Sequence, residues 1–466
     1  MSAPVLWIFV PLIVSAIIFF TSRERTTAGI LGGMVAAVLS LIALIIPIDT
    51  ALVLGPFSLK IAASIQILGR SFLFGPADGP VLAIIYGLSA LWFFGTEAAG
   101  ANRRFVPLGL AITALLVASI AVEPFLFAAL LIQIASMLAI PMFVVPSRPV
   151  GRGTLRFLIY QTLAMPFILF SGWMLAGVEA SPGDIGLTAQ SGVMLGLGFA
   201  FLLAVFPLYN WIPMLAEETS LYVLGFMLWI LPTFAVVFAM GFLDRYAWLR
   251  TSPQLSSAMQ LAGLVMLVSG GWFAAFQRHI GRMLGYVAIA GTGLALLALS
   301  LGSLSSLELV FLLFIPRGLE LSVWALGISI IKPKAESLRF RALQGLARAY
   351  PLATAGMLLA HFSMAGFPLL AGFPPRLALW AELSRLSLGL AFWMGVGLLG
   401  LLSGALRTLA VLVMASENTP WKWNESRVQA ALLGLGMAGL LLLGLFPQVM
   451  HPFLAQLPRM FEHLAQ

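Results

Sequence analysis

The chain has 466 residues, of which 61% are hydrophobic and only 9% are charged, with a formal net charge of +8. Soluble domains carry about a quarter charged residues, so a water-soluble protein is excluded, and basic loops between membrane spans explain the positive balance better than a nucleic-acid partner. With 0 cysteines there are no disulfides, thiolate metal sites or Cys-ligated iron–sulfur clusters, and the 4 histidines are too scattered to make a metal site.

Apolar stretches long enough to cross hydrocarbon recur along the whole chain. They predict spans over 4–21, 27–47, 78–97, 105–122, 124–145, 154–177 and 190–213. Further spans follow over 219–242, 257–276, 282–301, 305–331, 346–384, 388–415 and 427–448, about fourteen in all, within a single membrane domain covering 1–466. The first has no basic n-region or small-residue cleavage pattern, so it reads as a retained helix. Between the second and third, segment 48–77 is interrupted by Lys60 and Arg70 and reads as a loop with a short strand or as an interfacial helix. Counting each loop by the span it follows, odd loops hold sixteen of the 25 Lys and Arg residues, Arg103, Arg104, Arg148, Arg152 and Arg156 among them. Even loops hold five: Lys60, Arg70, Arg245, Arg250 and Arg385. The positive-inside rule then places odd loops in the cytoplasm and both termini on the outer side of a multi-pass protein.

Two spans are interrupted alike. "FPLYNWIP" (206–213) and "FPLLAGFP" (367–374) share the Phe, the first Pro, the Leu after it and the second Pro. Proline inside a helix removes a hydrogen bond and clashes with the preceding turn. In lipid the freed carbonyls need neighbours or water, so such breaks line cavities, and paired breaks point to a repeat-built transporter. Pro207 and Pro213 mark the seventh span, Pro368 and Pro374 the twelfth. An offset of five spans is odd, so the two units insert with opposite orientation. The fold expected is all-α and polytopic, with inverted five-helix repeats over 100–245 and 256–415, each containing a proline-broken helix.

Few charges enter the apolar spans. Glu123 opens the fifth. Arg317 and Glu320 lie i, i+3 beside Pro316, placed to pair with each other or to take part in proton transfer. His361 lies six residues before Phe367, either lining the cavity or held neutral by a backbone carbonyl. Glu217 and Glu218 fall at the cytoplasmic end of the seventh span, where solvation is expected, and Arg407 is placed to snorkel.

The same segments carry a family resemblance. "LLAVFPLYNWIPMLAEETS", "FQRHIGRMLGYVAIAGTG", "SMAGFPLLAGFPPRLALW" and "SGALRTLAVLVM" resemble motifs of the antiporter-like (N/M/L-type) membrane subunits of respiratory complex I and of Mrp-type sodium/proton antiporters. The similarity spans about residues 85–415. It implies a proton-translocating membrane-arm subunit of a complex-I-like NADH:quinone oxidoreductase, nearest the N type. The alternatives are an Mrp-type antiporter subunit or a non-conducting structural subunit. It also implies no cofactor in this chain, with NADH or another donor, FMN, iron–sulfur clusters and quinone in partner subunits. The setting implied is a prokaryotic inner membrane, with other membrane-arm subunits as partners.

In that family protons are thought to cross along buried charges on the fifth, seventh, eighth, eleventh and twelfth helices. Carried over, the fifth-helix glutamate is Glu123 and the twelfth-helix charge is Arg376. The lysines, however, fall on Leu202, near Thr233 and on Leu319, and a common histidine is Gly291. Arginine stays protonated and leucine cannot carry a proton, so the lysine-based route is degenerate here. Arg376 calls for a carboxylate, and Glu320 is preferred to Glu382 because the family's path links the eleventh and twelfth helices.

Overall fold

The computed structural model describes residues 2–54, 57–67, 69–144, 149–181, 184–414, 420–454, 457–461, 463 and 464. Arg148 and the end of the 388–415 span fall outside them. Among the described residues we number sixteen helices of eight or more residues, leaving single turns unnumbered. They begin with α1 Val5–Thr21, α2 Arg25–Ile45, α3 Gly79–Phe94, α4 Phe105–Ala121, α5 Phe127–Phe143 and α6 Arg152–Ala180. Next come α7 Ile185–Leu202, α8 Trp211–Glu218, α9 Leu221–Arg245, α10 Pro253–Phe276, α11 Ile280–Leu299 and α12 Leu304–Ile331. The series closes with α13 Pro351–Met364, α14 Phe373–Leu386, α15 Leu388–Val413 and α16 Arg427–Leu445. Among the described residues ten helices are long and apolar enough to cross a membrane, so this is an integral, multi-pass membrane protein.

Segment 48–77 corrects the all-helical expectation. Ala51–Leu54 pairs antiparallel with Phe57–Lys60, and Ser64–Ile67 with Arg70–Leu73, which also pairs with Val122–Glu123. The cause is local. Short apolar runs are cut by Lys60 and Arg70 before a helix of useful length can form, and Gly69 at φ 73° supplies the left-handed residue that closes the second hairpin. An interfacial helix does not form.

Helices α9 and α12 pack against each other at the centre, with 89% of the apolar window of each buried. Around them α10 packs on α11 and α15, and α6 on α7. Small residues set the closest approaches, as expected where lipid removes the hydrophobic drive between helices. A Cβ on Gly263 would lie 2.7 Å from Gly293 O, and one on Gly293 would lie 2.6 Å from Gly263 O, so α10 and α11 touch backbone to backbone there. By contrast only 17% of the α16 window is buried, leaving most of that helix for lipid or a neighbour.

Prolines act in two ways. Pro141, Pro166, Pro232 and Pro316 sit inside continuous helices, and the eleventh span runs unbroken through Pro316. Packing on all sides keeps that helix continuous. The real interruptions are 203–210, between α7 and α8, and 365–372, between α13 and α14. Both begin with the same cap: Val205 N bonds Ala200 O and Phe367 N bonds Phe362 O, each at 2.9 Å, around left-handed Ala204 (φ 52°) and Gly366 (φ 80°). Pro213 and Pro374 then lie in the first turns of α8 and α14, where a missing N–H costs nothing, so they start helices and do not break them.

Candidate functional site

Between the two breaks runs a buried polar axis. At the second break, Arg376 in the first turn of α14 points back to α12, its Nη1 lying 3.6 Å from Glu320 Oε1 and donating to Gly372 O at 2.7 Å. Ser363 of α13 donates to Glu320 Oε1 at 2.6 Å and accepts the Gly372 N–H at 2.9 Å. The expected Arg376–Glu320 pair is therefore made, while Glu382 bonds Arg385 at 2.9 Å. A Cβ on Gly372 would collide with Arg376 Nη1 and Ser363 O and lie 2.5 Å from Glu320 Oε1. Only glycine lets the chain pass this close to the ion pair.

Arg317 does not bond Glu320, contrary to the i, i+3 pairing. Its Nη2 reaches back to α9 and α11, donating to Leu228 O at 2.9 Å, Ala288 O at 3.1 Å and Thr292 Oγ1 at 2.9 Å. The reason is on α9. Pro232, four residues after Leu228, has no N–H, so the Leu228 carbonyl is left for the guanidinium. Gly291 lies alongside, where a Cβ would be in ordinary contact at 3.7 Å from Arg317 Cζ. Arg317 thus occupies the space beside the position where the family resemblance expects histidine. Leu319, the matched lysine position, faces Gly439 of α16.

His361 is fully buried on α13, stacked on Trp324 of α12 with centroids 4.3 Å apart at 22°. Neither ring nitrogen has a hydrogen-bond partner, so the expected backbone carbonyl is not supplied.

The first break is polar but uncharged. Gln161 of α6 donates to Leu202 O at 3.3 Å and accepts from Ser136 of α5 at 3.4 Å. A void of about 20 Å³ lies beside this point, lined by Gln161, Leu202, Trp211, Thr292 and Arg317 among others. Glu123 is not there. It lies in the short strand before α5, bonded to Arg245 at 2.5 Å, with that guanidinium also 4.0 Å from the centre of the Phe125 ring. Both line a surface cavity of about 610 Å³ with Asp244 and His463. The fifth-helix side chain nearest Leu202 through Gln161 is Ser136, set inside α5, whereas Glu123 precedes that helix.

The remaining polar candidates serve structure at the helix ends. Glu217 pairs with Arg282 at 2.7 Å, and Glu218 accepts from Gly153 N and Thr154 N at the start of α6. Arg407 does not snorkel into open solvent; it is part-buried, donates to Ala275 O and lies over Phe340. Thr233 only bonds back to Trp229 O at 2.6 Å. The sequence reading missed Gln161, Ser136, Thr292 and Ser363. Their signal was a polar residue inside an apolar span, which is weak because Ser and Thr often bond their own helix. Among the described residues no group of three His, Cys, Asp or Glu could hold a metal.

Comparison with known proteins agrees with this architecture. Residues 179–403 match the transmembrane family described as NADH:quinone oxidoreductase/Mrp antiporter. NADH-quinone oxidoreductase subunit 14 of Thermus thermophilus is 29% identical over 444 residues, covering 90% of this chain and 96% of that protein. A chain of respiratory complex I from Thermus thermophilus superposes with TM-score 0.79 at 18% identity, covering 99% of this chain and 100% of its own. A chain of the Mrp complex from Dietzia superposes with TM-score 0.82 at 15% identity, covering 100% and 99%.

Proposed function

We infer, from a chain that carries in residues 179–403 the transmembrane domain of the NADH:quinone oxidoreductase/Mrp antiporter family, that it is an antiporter-like membrane-arm subunit of a complex-I-like NADH:quinone oxidoreductase. The observation that carries this reading is the pair of like-capped helix breaks at 203–210 and 365–372, joined by a buried polar axis that ends in the Arg376–Glu320 pair. No redox step belongs to this chain. Donor oxidation and quinone reduction fall to partner subunits, with their flavin and iron–sulfur clusters. The subunit converts that energy into movement of charge through its own polar axis.

Fourteen spans result when each broken helix is counted once. Residues 100–245 and 256–415 then form the inverted repeats, supported by the two matching caps and by the equivalent packing of α4 on α5 and α10 on α11. Basic odd loops support a prokaryotic inner-membrane location with both termini outside. Within the axis, Glu320 is the group able to exchange a proton; Arg317 and Arg376 hold a fixed positive field, and His361 stacks on Trp324 one turn along α12 from Glu320. Glu123 belongs to the outer mouth.

A second reading, a non-conducting subunit that seals and orients the arm, is favoured by one observation: Leu202, Gln161 and Ser136 leave the first break without a lysine, histidine or carboxylate. Glu320→Gln separates the two. It keeps the shape of the side chain and its contact with Ser363 but cannot ionise. In the assembled complex the proton-to-electron ratio should fall. An unchanged ratio with intact assembly would establish the sealing role. Copurification with Mrp-type antiporter subunits, and with no redox subunits, would instead assign the chain to an antiporter.

A further inference from the structure

The void at the first break has polar groups of one kind left over. At about 20 Å³ it has room for one particle the size of a water molecule. Two of its lining side chains end in buried N–H donors without an acceptor: Trp211 at Nε1, and Arg317 at both Nε and Nη1. The acceptors around them are engaged. Leu202 O is taken by Gln161, and Leu228 O, Ala288 O and Thr292 Oγ1 are all taken by Arg317 Nη2.

Charge leads to the same place. Among the described residues, the buried ionic side chains are Arg317, Glu320 and Arg376, two cations against one carboxylate. Glu320 is committed to Arg376 and Ser363. Arginine does not give up its proton, so one buried positive charge has no counter-charge within bonding distance, which a low-dielectric interior strongly penalises.

We propose that this void binds one small inorganic anion of halide size, with chloride the physiological occupant, held by the Arg317 guanidinium and the Trp211 indole N–H. A carboxylate, sulfate or phosphate is too large for it. Water fits by size, but it adds two O–H donors to a site already short of acceptors and leaves the charge unanswered. The site does not depend on which ion the subunit moves.

The test uses the full-length chain purified in detergent, compared in sodium chloride and sodium gluconate at equal ionic strength. Chloride should raise the unfolding temperature in a saturable way. Trp211→Phe, which keeps an aromatic side chain but loses the pyrrole ring with its N–H donor, should raise the half-saturating chloride concentration roughly tenfold. Arg317→Gln should abolish the chloride effect. Crystals grown in bromide should give an anomalous peak between Arg317 and Trp211. Should Arg317→Gln fail to fold, Trp211→Phe and the bromide peak decide the matter alone. Equal stability in the two salts with no bromide peak would show a water-filled void and overturn the proposal. So would a chloride effect that Trp211→Phe leaves unchanged.

Discussion

Arg376 and Glu320 come from separate helices, and each is buried deeply enough that the other is indispensable. Arg376→Leu leaves Glu320 buried with only Ser363 to answer it, and should cost about 3–5 kcal/mol of stability, read by thermal or denaturant unfolding in detergent. Arg376→Lys keeps the charge but loses the planar fork that also reaches Gly372 O, so its loss should be smaller. Equal effects of the two would mean that packing, not charge, sets the requirement. His279, just before α11, behaves differently because it caps that helix, with Nδ1 accepting the Arg282 N–H at 3.3 Å. Burial holds its imidazole below the ordinary histidine range; Glu217 pulls the other way, and Arg282, Arg339 and Lys332 add to the depression. The neutral ring is the folded form, so its contribution is complete above the ordinary histidine value of about 6.5 and is lost as pH falls through the lowered one. His279→Asn retains a capping acceptor and should flatten the slope of stability against pH below neutrality. An unchanged slope would assign the pH dependence to other groups.

At the scale of the element, the two breaks use one cap with different residues at the left-handed position. Ala204 holds φ 52° at the cost that side chains bear there, whereas Gly366 holds φ 80° without it. Ala204→Gly removes that cost and adds unfolded-state entropy, so stability should stay within about 1 kcal/mol of the parent. Gly366→Ala meets the backbone cost and also sets a Cβ 3.0 Å from Arg376 Cδ. A loss of about 1–2 kcal/mol is expected, with disturbance of the Glu320 pair. If Gly366→Ala proves as mild as Ala204→Gly, the cap is not what positions Arg376. Pro232 illustrates the same economy on α9: one missing N–H frees Leu228 O, and that carbonyl fixes the direction of Arg317.

For the whole molecule, the absence of native cysteine makes topology directly measurable. Thr251, exposed between α9 and α10, and Ser337, exposed between α12 and α13, fall in loops of opposite parity. In intact cells a membrane-impermeant maleimide should label Thr251→Cys, and it should reach Ser337→Cys only after permeabilisation. Labelling of both from one side would overturn the span count and the inverted relation together. The two halves are also unequal in chemistry. The half around 203–210 holds Ser136 and Gln161, the half around 365–372 holds the Arg376–Glu320 pair, and Arg317 reaches from α12 to the void beside the first. On the proposed proton route, Glu320 is the buried carboxylate of the second half, and the first break offers the Ser136 and Tyr209 hydroxyls and the Gln161 amide.

Composition, span periodicity and the doubled proline motif were enough to determine a multi-pass membrane protein with paired helix breaks. In lipid, backbone groups must be satisfied within the chain, so apolar length and proline leave few options. The Arg376–Glu320 pair was legible for the same reason, since an isolated buried charge needs an answer and few carboxylates were available. Tertiary structure alone decided the rest. It turned Arg317 away from Glu320, because a free carbonyl on α9 lies within its reach. It put Glu123 with Arg245 at a surface cavity away from the first break, and it brought Ser136 and Gln161 to Leu202. It carried Pro316 through an unbroken helix, although proline inside a helix removes a hydrogen bond. Each of these depends on which helix faces which, and helix packing depends on small residues and shape, with no long-range mark in the sequence.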